Sequence, residues 1–249
     1  MKFALAFQGL SKKEVDVLWQ PFRDWLAKHN QNYQLTLSSV PRPVQQYWDL
    51  DYLIRNQPAV INVNQSKNAT PGEFWWASNQ AEVSMYINYY LSMYLPFKLF
   101  EKENAARLAK TLYAASRLAA LTLHFNKGLS GASTDAIKRQ KNTAMNPEVL
   151  DAAALVIIAD SQRNRYSNVK SYQPNLIKAS EVSKKANQAM ALIHALSPKS
   201  GTYPNEADYF IKNWQVNLWS NNYPKLLRIK HKYDPQNLFT CHHCVGSDT

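Results

Sequence analysis

Residues 3–40, FALAFQGLSKKEVDVLWQPFRDWLAKHNQNYQLTLSSV, read as strand, helix, strand. Phe3, Leu5 and Phe7 alternate with alanines, the period of a pleated strand. Ser11 followed three residues later by Glu14 is a capping-box pair that starts a helix. Val15, Leu18, Trp19, Phe22, Trp25 and Leu26 then recur at spacings of three and four, with Pro21 expected to kink or split the run. Leu35, Leu37 and Val40 form a second strand that Pro41 and Pro43 end. A strand, a capped amphipathic helix and a strand predict an α+β fold, an antiparallel sheet covered on one face by helices.

The rest of the chain agrees with that pattern. Residues 101–118 give the clearest helix, with small apolar residues Ala105, Leu108, Ala109, Leu112 and Ala115 on one face. In the strand that follows, Leu121, Leu123 and Phe125 share one face and Thr122, His124 and Asn126 the other. Helices cover the first face, so the second is polar and available. Ser133 caps a short helix over residues 135–141. Residues 149–158 are nearly all apolar, and the β-branched Val156-Ile157-Ile158 end leans to strand. A further helix starts at Ala179 or Ser180 and presents Val182, Ala186, Ala189, Met190, Leu192, Ile193 and Leu196 inward. Near the C-terminus, Asn221 and Asn222 can cap a helix with Pro224 in its first turn and Leu226, Leu227, Ile229 and Tyr233 on its buried face. Asp234-Pro235 stops it.

The chain has 249 residues, enough for a real core. Its net charge of +11 is spread over short groups such as Lys12-Lys13, Lys138-Arg139-Lys141 and Lys184-Lys185. That describes a solvated basic surface, with no recognisable nucleic-acid module. No run approaches the ~18 apolar residues of a membrane span, and the apolar start is too short for a signal-peptide core. The compartment is therefore open. The two cysteines stand in Cys241-His242-His243-Cys244. Adjacent side chains diverge, so this spacing argues against a zinc site and no metal is expected. A disulfide is possible if the chain turns there. An aromatic run through Phe74, Trp75, Trp76, Tyr86, Tyr89, Tyr90 and Tyr94 reads as core or groove lining.

The C-terminal fifty residues carry a specific pattern. It runs Tyr203, Asn205, Glu206 and Asp208, then Trp214-Gln215, Trp219, Asn222-Tyr223, Leu226, Lys230, Tyr233-Asp234-Pro235, Asn237 and Phe239. This resembles the C-terminal signature of berberine-bridge-enzyme-like FAD-linked oxidoreductases of the vanillyl-alcohol-oxidase superfamily. Residues 123–131 and 142–147 are similar, more weakly, to the bacterial branch of that family. The resemblance divides the chain into a substrate-binding α+β domain, 1–200, and a berberine-bridge-like C-terminal segment, 201–249.

The resemblance implies an oxidase-type enzyme that passes hydride from an alcohol or amine carbon of a small-molecule substrate to FAD, with dioxygen as final acceptor. In such enzymes an FAD-binding domain precedes this region. The chain's six glycines are scattered and form no phosphate-cradling loop, and His124, His194, His242 and His243 lie outside the family's flavin-attachment context. The N-terminal FAD-binding domain is thus expected to be absent. The chain would then be part of the enzyme, one half of a split flavoenzyme completed by a separate FAD-domain polypeptide, or a non-catalytic binding module or remnant. On the family's Tyr-x-Asn-x segment, Glu206 occupies the base position, where family members often have Tyr, and Tyr203 is the less favoured base. Tyr203 and Asn205 match residues that approach the flavin ring. An aromatic, partly desolvated setting would raise the Glu206 pKa toward neutrality, which suits a base. His124 and Asn126 are candidate substrate contacts. The family often has glycine where Ser220 and Cys244 stand, so both are expected to strain their turns.

Overall fold

The computed structural model describes residues 3, 5, 7, 9–33, 43–70, 72–125, 129 and 131–247. The expected strand through Leu35, Leu37 and Val40, and Ala4 and Ala6 of the expected first strand, lie outside these. The chain forms two compact units, residues 1–79 and 80–249.

In the first unit, helix α1 spans Lys12–Lys28 behind the expected capping box. The Glu14 amide donates to Ser11 Oγ at 3.3 Å, and the Ser11 amide to Glu14 Oε2 at 2.7 Å. Of the expected kink or split at Pro21, the split does not occur. One missing N–H leaves the remaining ladder in place, and Arg23 donates from its guanidinium to the Asp16 carbonyl nearby. Phe3, Trp19 and Phe22 add edge-to-face ring contacts on the same stretch. Helix α2, Leu50–Asn56, starts on an Asp49 cap, whose side chain accepts from the Tyr52 amide at 2.9 Å. Strands β1, Ile61–Val63, and β2, Phe74–Trp76, pair antiparallel.

The second unit holds the main core. Strand β3, Tyr86–Pro96, helix α3, Lys102–Ser116, strand β4, Thr122–Phe125, and helix α4, Thr134–Lys141, precede strand β5, Ala152–Gln162. Helices α5, Leu176–His194, α6, Trp214–Trp219, and α7, Tyr223–Tyr233, follow. The sheet order is β3-β5-β4, antiparallel throughout. Leu91, Met93 and Leu95 of β3 and Ala154, Val156 and Ile158 of β5 point to the face that α3 and α5 cover. Ala115, Ala186 and Ala189 are fully buried there, and their small side chains let the helices lie close on the sheet. The α+β class with helices on one face of an antiparallel sheet is what the periodicities predict.

The differences are local. Helix α5 begins earlier than expected, because the Asn175 side chain caps it by accepting from the Lys178 amide at 2.9 Å. Leu192 of that helix is exposed rather than inward. Asn222 does not cap α7. Its side-chain amide donates instead to the carbonyls of Lys141, Thr143 and Met145, each at 3.0 Å, which ties residues 141–145 to the start of α7. Of the expected buried face of α7, Leu226 and Leu227 are half-buried, while Ile229 and Tyr233 are exposed. Helix α7 ends in a compact loop built on Asp234. The Leu238 and Phe239 amides donate to its carboxylate at 2.8 and 2.9 Å, and Lys230 pairs with it. Lys230 first, then these amides, hold the Asp234 carboxyl down at a pKa of about 2.

Ser220 has φ 49° and ψ −135°, backbone that a Cβ disfavours, as expected. Cys244 has no positive φ, so the strain expected there is not found. Replacing Ser220 by Gly should therefore stabilise the fold by about 1 kcal/mol, read as a higher urea midpoint at unchanged slope. An unchanged or lower midpoint would show that the turn is relaxed with serine.

Candidate functional site

Strand alternation puts Tyr90, Ser92 and Tyr94 of β3 on the face away from α3 and α5. The register carries this face across the sheet. Tyr94 pairs with Leu155, and Leu155 with His124, while Ser92 pairs with Ile157, and Ile157 with Thr122. Tyr94, Leu155, Ile157 and Ala152 form a second apolar cluster here, with Tyr90 and Tyr203 packed against it.

Residues 201–206 dock along this face. The Tyr94 amide donates to the Gly201 carbonyl at 2.9 Å, and the Ser92 and Thr202 hydroxyls share a hydrogen bond. A 3-10 turn over Pro204–Glu206 then lifts the Glu206 side chain toward β3, where the Tyr90 hydroxyl donates to its Oε1 at 3.3 Å. Asn205 is exposed and donates from its amide to Tyr203 Oη at 2.7 Å.

Buried polar residues hold the segment from behind. Asn146 is fully buried, accepts from the Glu148 amide at 3.0 Å and donates to the Asn217 carbonyl at 3.0 Å. The Thr202 amide reaches the same Asn217 carbonyl at 2.9 Å, and the Gly201 amide donates to Glu148 Oε2 at 2.6 Å. These bonds, with those of Asn222, tie residues 141–148 to the C-terminal segment. Each satisfies the other's buried polar groups.

Burial raises the Tyr90 hydroxyl's pKa, and the Glu206 carboxylate raises it further. Burial likewise pushes Tyr94 well up, with Tyr203, Glu148 and Glu206 adding to it. Both phenols stay protonated near neutral pH, and Tyr90 uses its proton to donate to Glu206. The Tyr94 hydroxyl is buried, the residue only 2% exposed, and has no hydrogen-bond partner among the described residues. An orphaned donor of this kind costs about 1–3 kcal/mol.

The structure thus brings Tyr203 and Glu206 together with Tyr90 and Tyr94 on one face. Glu206 is half-buried. His124 lies on the same face in the row of Tyr94 but is exposed, and Asn126 lies outside the described residues. Sequence reading gives Tyr90 and Tyr94 only as core or groove lining, and Ser92, Asn146 and Glu148 no role in the site. The i, i+2, i+4 spacing of the first three in one strand was the available signal. An open cavity of about 650 Å³ lies off the same strand, lined by Met190, His194, Asp208 and Phe210 among others, but Tyr90, Tyr203 and Glu206 do not border it. Cys241 and Cys244 form a disulfide, and among the described residues no three His, Cys, Asp or Glu side chains gather to hold a metal.

Residues 202–246 match the family described as "Berberine and berberine like". The chain is 44% identical over 62 residues to the FAD-linked oxidoreductase apf9 of Gibberella fujikuroi, covering 25% of this chain and 11% of that protein. It is 32% identical over 111 residues to the FAD-linked oxidoreductase ffsJ of Aspergillus flavipes, covering 44% and 16%. The match thus spans well under a fifth of these fungal relatives' length. In fold, the chain is similar to the VAO-type flavoprotein MtVAO615 of Myceliophthora thermophila C1, with a TM-score of 0.60 at 20% identity, over 96% of this chain and 37% of that one. The described fold is thus similar to part of that flavoprotein's, and the berberine-like match is confined to the C-terminal segment.

Proposed function

We propose that this chain, substrate-binding domain 1–200 with berberine-like segment 201–249, is the substrate-side portion of an FAD-dependent oxidase. Its substrate is a small molecule with an alcohol or amine carbon. The observation that carries this reading is the carboxylate of Glu206, held by the Tyr90 hydroxyl on an aromatic sheet face within a segment matching the berberine-like family.

Oxidising such a carbon removes a hydride and a proton. Flavin, when bound, supplies the hydride acceptor. Glu206 takes the heteroatom proton, and Tyr90 fixes the carboxylate's orientation through its 3.3 Å hydrogen bond. Tyr203 is the second candidate for the proton. Tyr203 and Asn205, joined at 2.7 Å, present an aromatic ring and an exposed amide suited to the edge of a flat heterocycle. These residues fit one wall of a flavin site, and they hold no dinucleotide phosphates. His124 would meet the substrate across the sheet, and Asn126 is a further candidate substrate contact. The substrate enters between this face and an FAD-binding domain, supplied by a separate polypeptide in the split-enzyme form of the reading. Residues 123–131 and 142–147 favour the bacterial branch, although the relatives named above are fungal.

Among the described residues no helix is long and apolar enough to cross a membrane. Nothing in the reading calls for a nucleic-acid partner.

The test is an absorbance spectrum after gel filtration, of the chain with FAD and of the chain with FAD plus a berberine-type FAD-binding domain. Flavin retained only with the added domain is the expected result and supports the split form. Flavin retained by the chain alone would overturn the substrate-side assignment. No flavin in either mixture would leave a binding module without redox chemistry and sink the oxidase reading.

A further inference from the structure

Residues 241–244 take no part in the sheet face, yet they form the chain's only pair of cysteines. The chain turns so that the Cys244 amide donates to the Cys241 carbonyl at 3.1 Å, with the two Cα atoms 5.2 Å apart and the sulfurs bonded. A bridge over so short a loop removes little entropy from the unfolded chain, so it is a weak staple. The tail is also held by other contacts. The Asp234 carboxylate holds residues 238 and 239, Lys230 donates to the Phe239 carbonyl at 2.5 Å, and the Ser247 amide donates to the Cys244 carbonyl at 3.0 Å. Cys241 is exposed while Cys244 is half-buried, so one sulfur is open to attack and the other is placed to leave.

The two histidines between them link the bridge to the rest of the segment. His242 stacks on Tyr209 at 3.9 Å between ring centroids and donates from Nε2 to the Tyr209 carbonyl at 2.6 Å. His243 stacks on Trp214 at 5.3 Å. A Cys-X-X-Cys spacing is one in which a thiol forms thiolate more readily, which favours exchange.

We propose that Cys241–Cys244 is a thiol–disulfide exchange site that accepts two electrons from a dithiol. A dithiol thiolate attacks Cys241 Sγ, the Cys241–Cys244 bond breaks, and Cys244 leaves as thiolate and takes a proton. The second thiol of the donor then attacks the mixed disulfide and releases Cys241. The donor is oxidised to its disulfide and the chain gains two thiols. Opening the ring frees the turn and loosens the stacks on Tyr209 and Trp214. The site does not depend on the flavin reading.

The test treats the folded full-length chain with dithiothreitol, counts thiols by alkylation and mass spectrometry, and follows tryptophan fluorescence. Two alkylated cysteines without denaturant, with a fluorescence change that reverses on reoxidation and is lost in Trp214→Phe, are expected. Cys244→Ser should form a mixed disulfide with oxidised glutathione at Cys241 about tenfold faster than Cys241→Ser does at Cys244. A bridge that resists dithiothreitol until urea unfolds the chain would overturn the proposal. So would equal rates in the two serine variants, each first shown folded by circular dichroism.

Discussion

On the proposed reading, Glu206→Gln in the flavin-loaded, completed enzyme should lower the rate of flavin reduction by about 10²–10⁴-fold, the range that a positioned general base contributes. The substitution keeps the side chain's shape and leaves an oxygen to accept from Tyr90, so the fold and substrate affinity change little. What the proposed role would lose is the acceptor for the heteroatom proton. Single-turnover flavin bleaching measures this step free of product release. A large loss of rate at unchanged substrate affinity identifies Glu206 as the base. A change smaller than about threefold would move the role to Tyr203, and Tyr203→Phe should then carry the loss instead. Tyr90→Phe removes only the orienting hydrogen bond and should cost far less than Glu206→Gln.

Gly201→Ala should unfold the C-terminal segment or force it off the sheet, at a cost of about 3 kcal/mol. A Cβ at this position would stand 2.4 Å from the Asn217 carbonyl oxygen and 2.6 Å from Asn146 Nδ2. The first is backbone and the second belongs to a fully buried side chain, so neither can swing aside. Relief requires breaking the bonds of Asn146 and Thr202 to the Asn217 carbonyl. A urea titration reads the loss as a lower midpoint. An alanine variant as stable as the parent would mean that these contacts relax at no cost.

Much of this fold is legible in the chain because its signals are local. Ser11 with Glu14, Ser133, and the β-branched run in β5 act within a few residues of themselves, and each led to the correct element. The misreadings involve partners far away in sequence. Asn222 is a good capping residue by type, yet its amide serves three carbonyls some eighty positions earlier. Pro21 is a helix breaker by type, but one absent hydrogen bond did not outweigh the capping box and ring contacts of α1. Tyr233 fits an apolar face by spacing and is nevertheless 77% exposed.

The site divides in the same way. Tyr203 and Glu206 could be named because the C-terminal pattern is long and specific. Tyr90 is legible only as core or groove lining, since it meets Glu206 across 116 residues of chain and only the fold brings them together. Tyr94 carries no sequence mark that separates a catalytic neighbour from a core aromatic. Its unpartnered hydroxyl is visible only once the sheet is built.

Residues 201 and 202 also lie along the outer side of β3, the strand at one margin of its sheet. Unpaired strand margins recruit strands from other molecules, and a short covering segment is one way proteins prevent it. Here the cover and the carrier of Glu206 are the same piece of chain. A lesion that lifts this segment would uncover a self-association edge as it removes the carboxylate, so such variants should be lost to aggregation rather than accumulate as soluble, inactive protein.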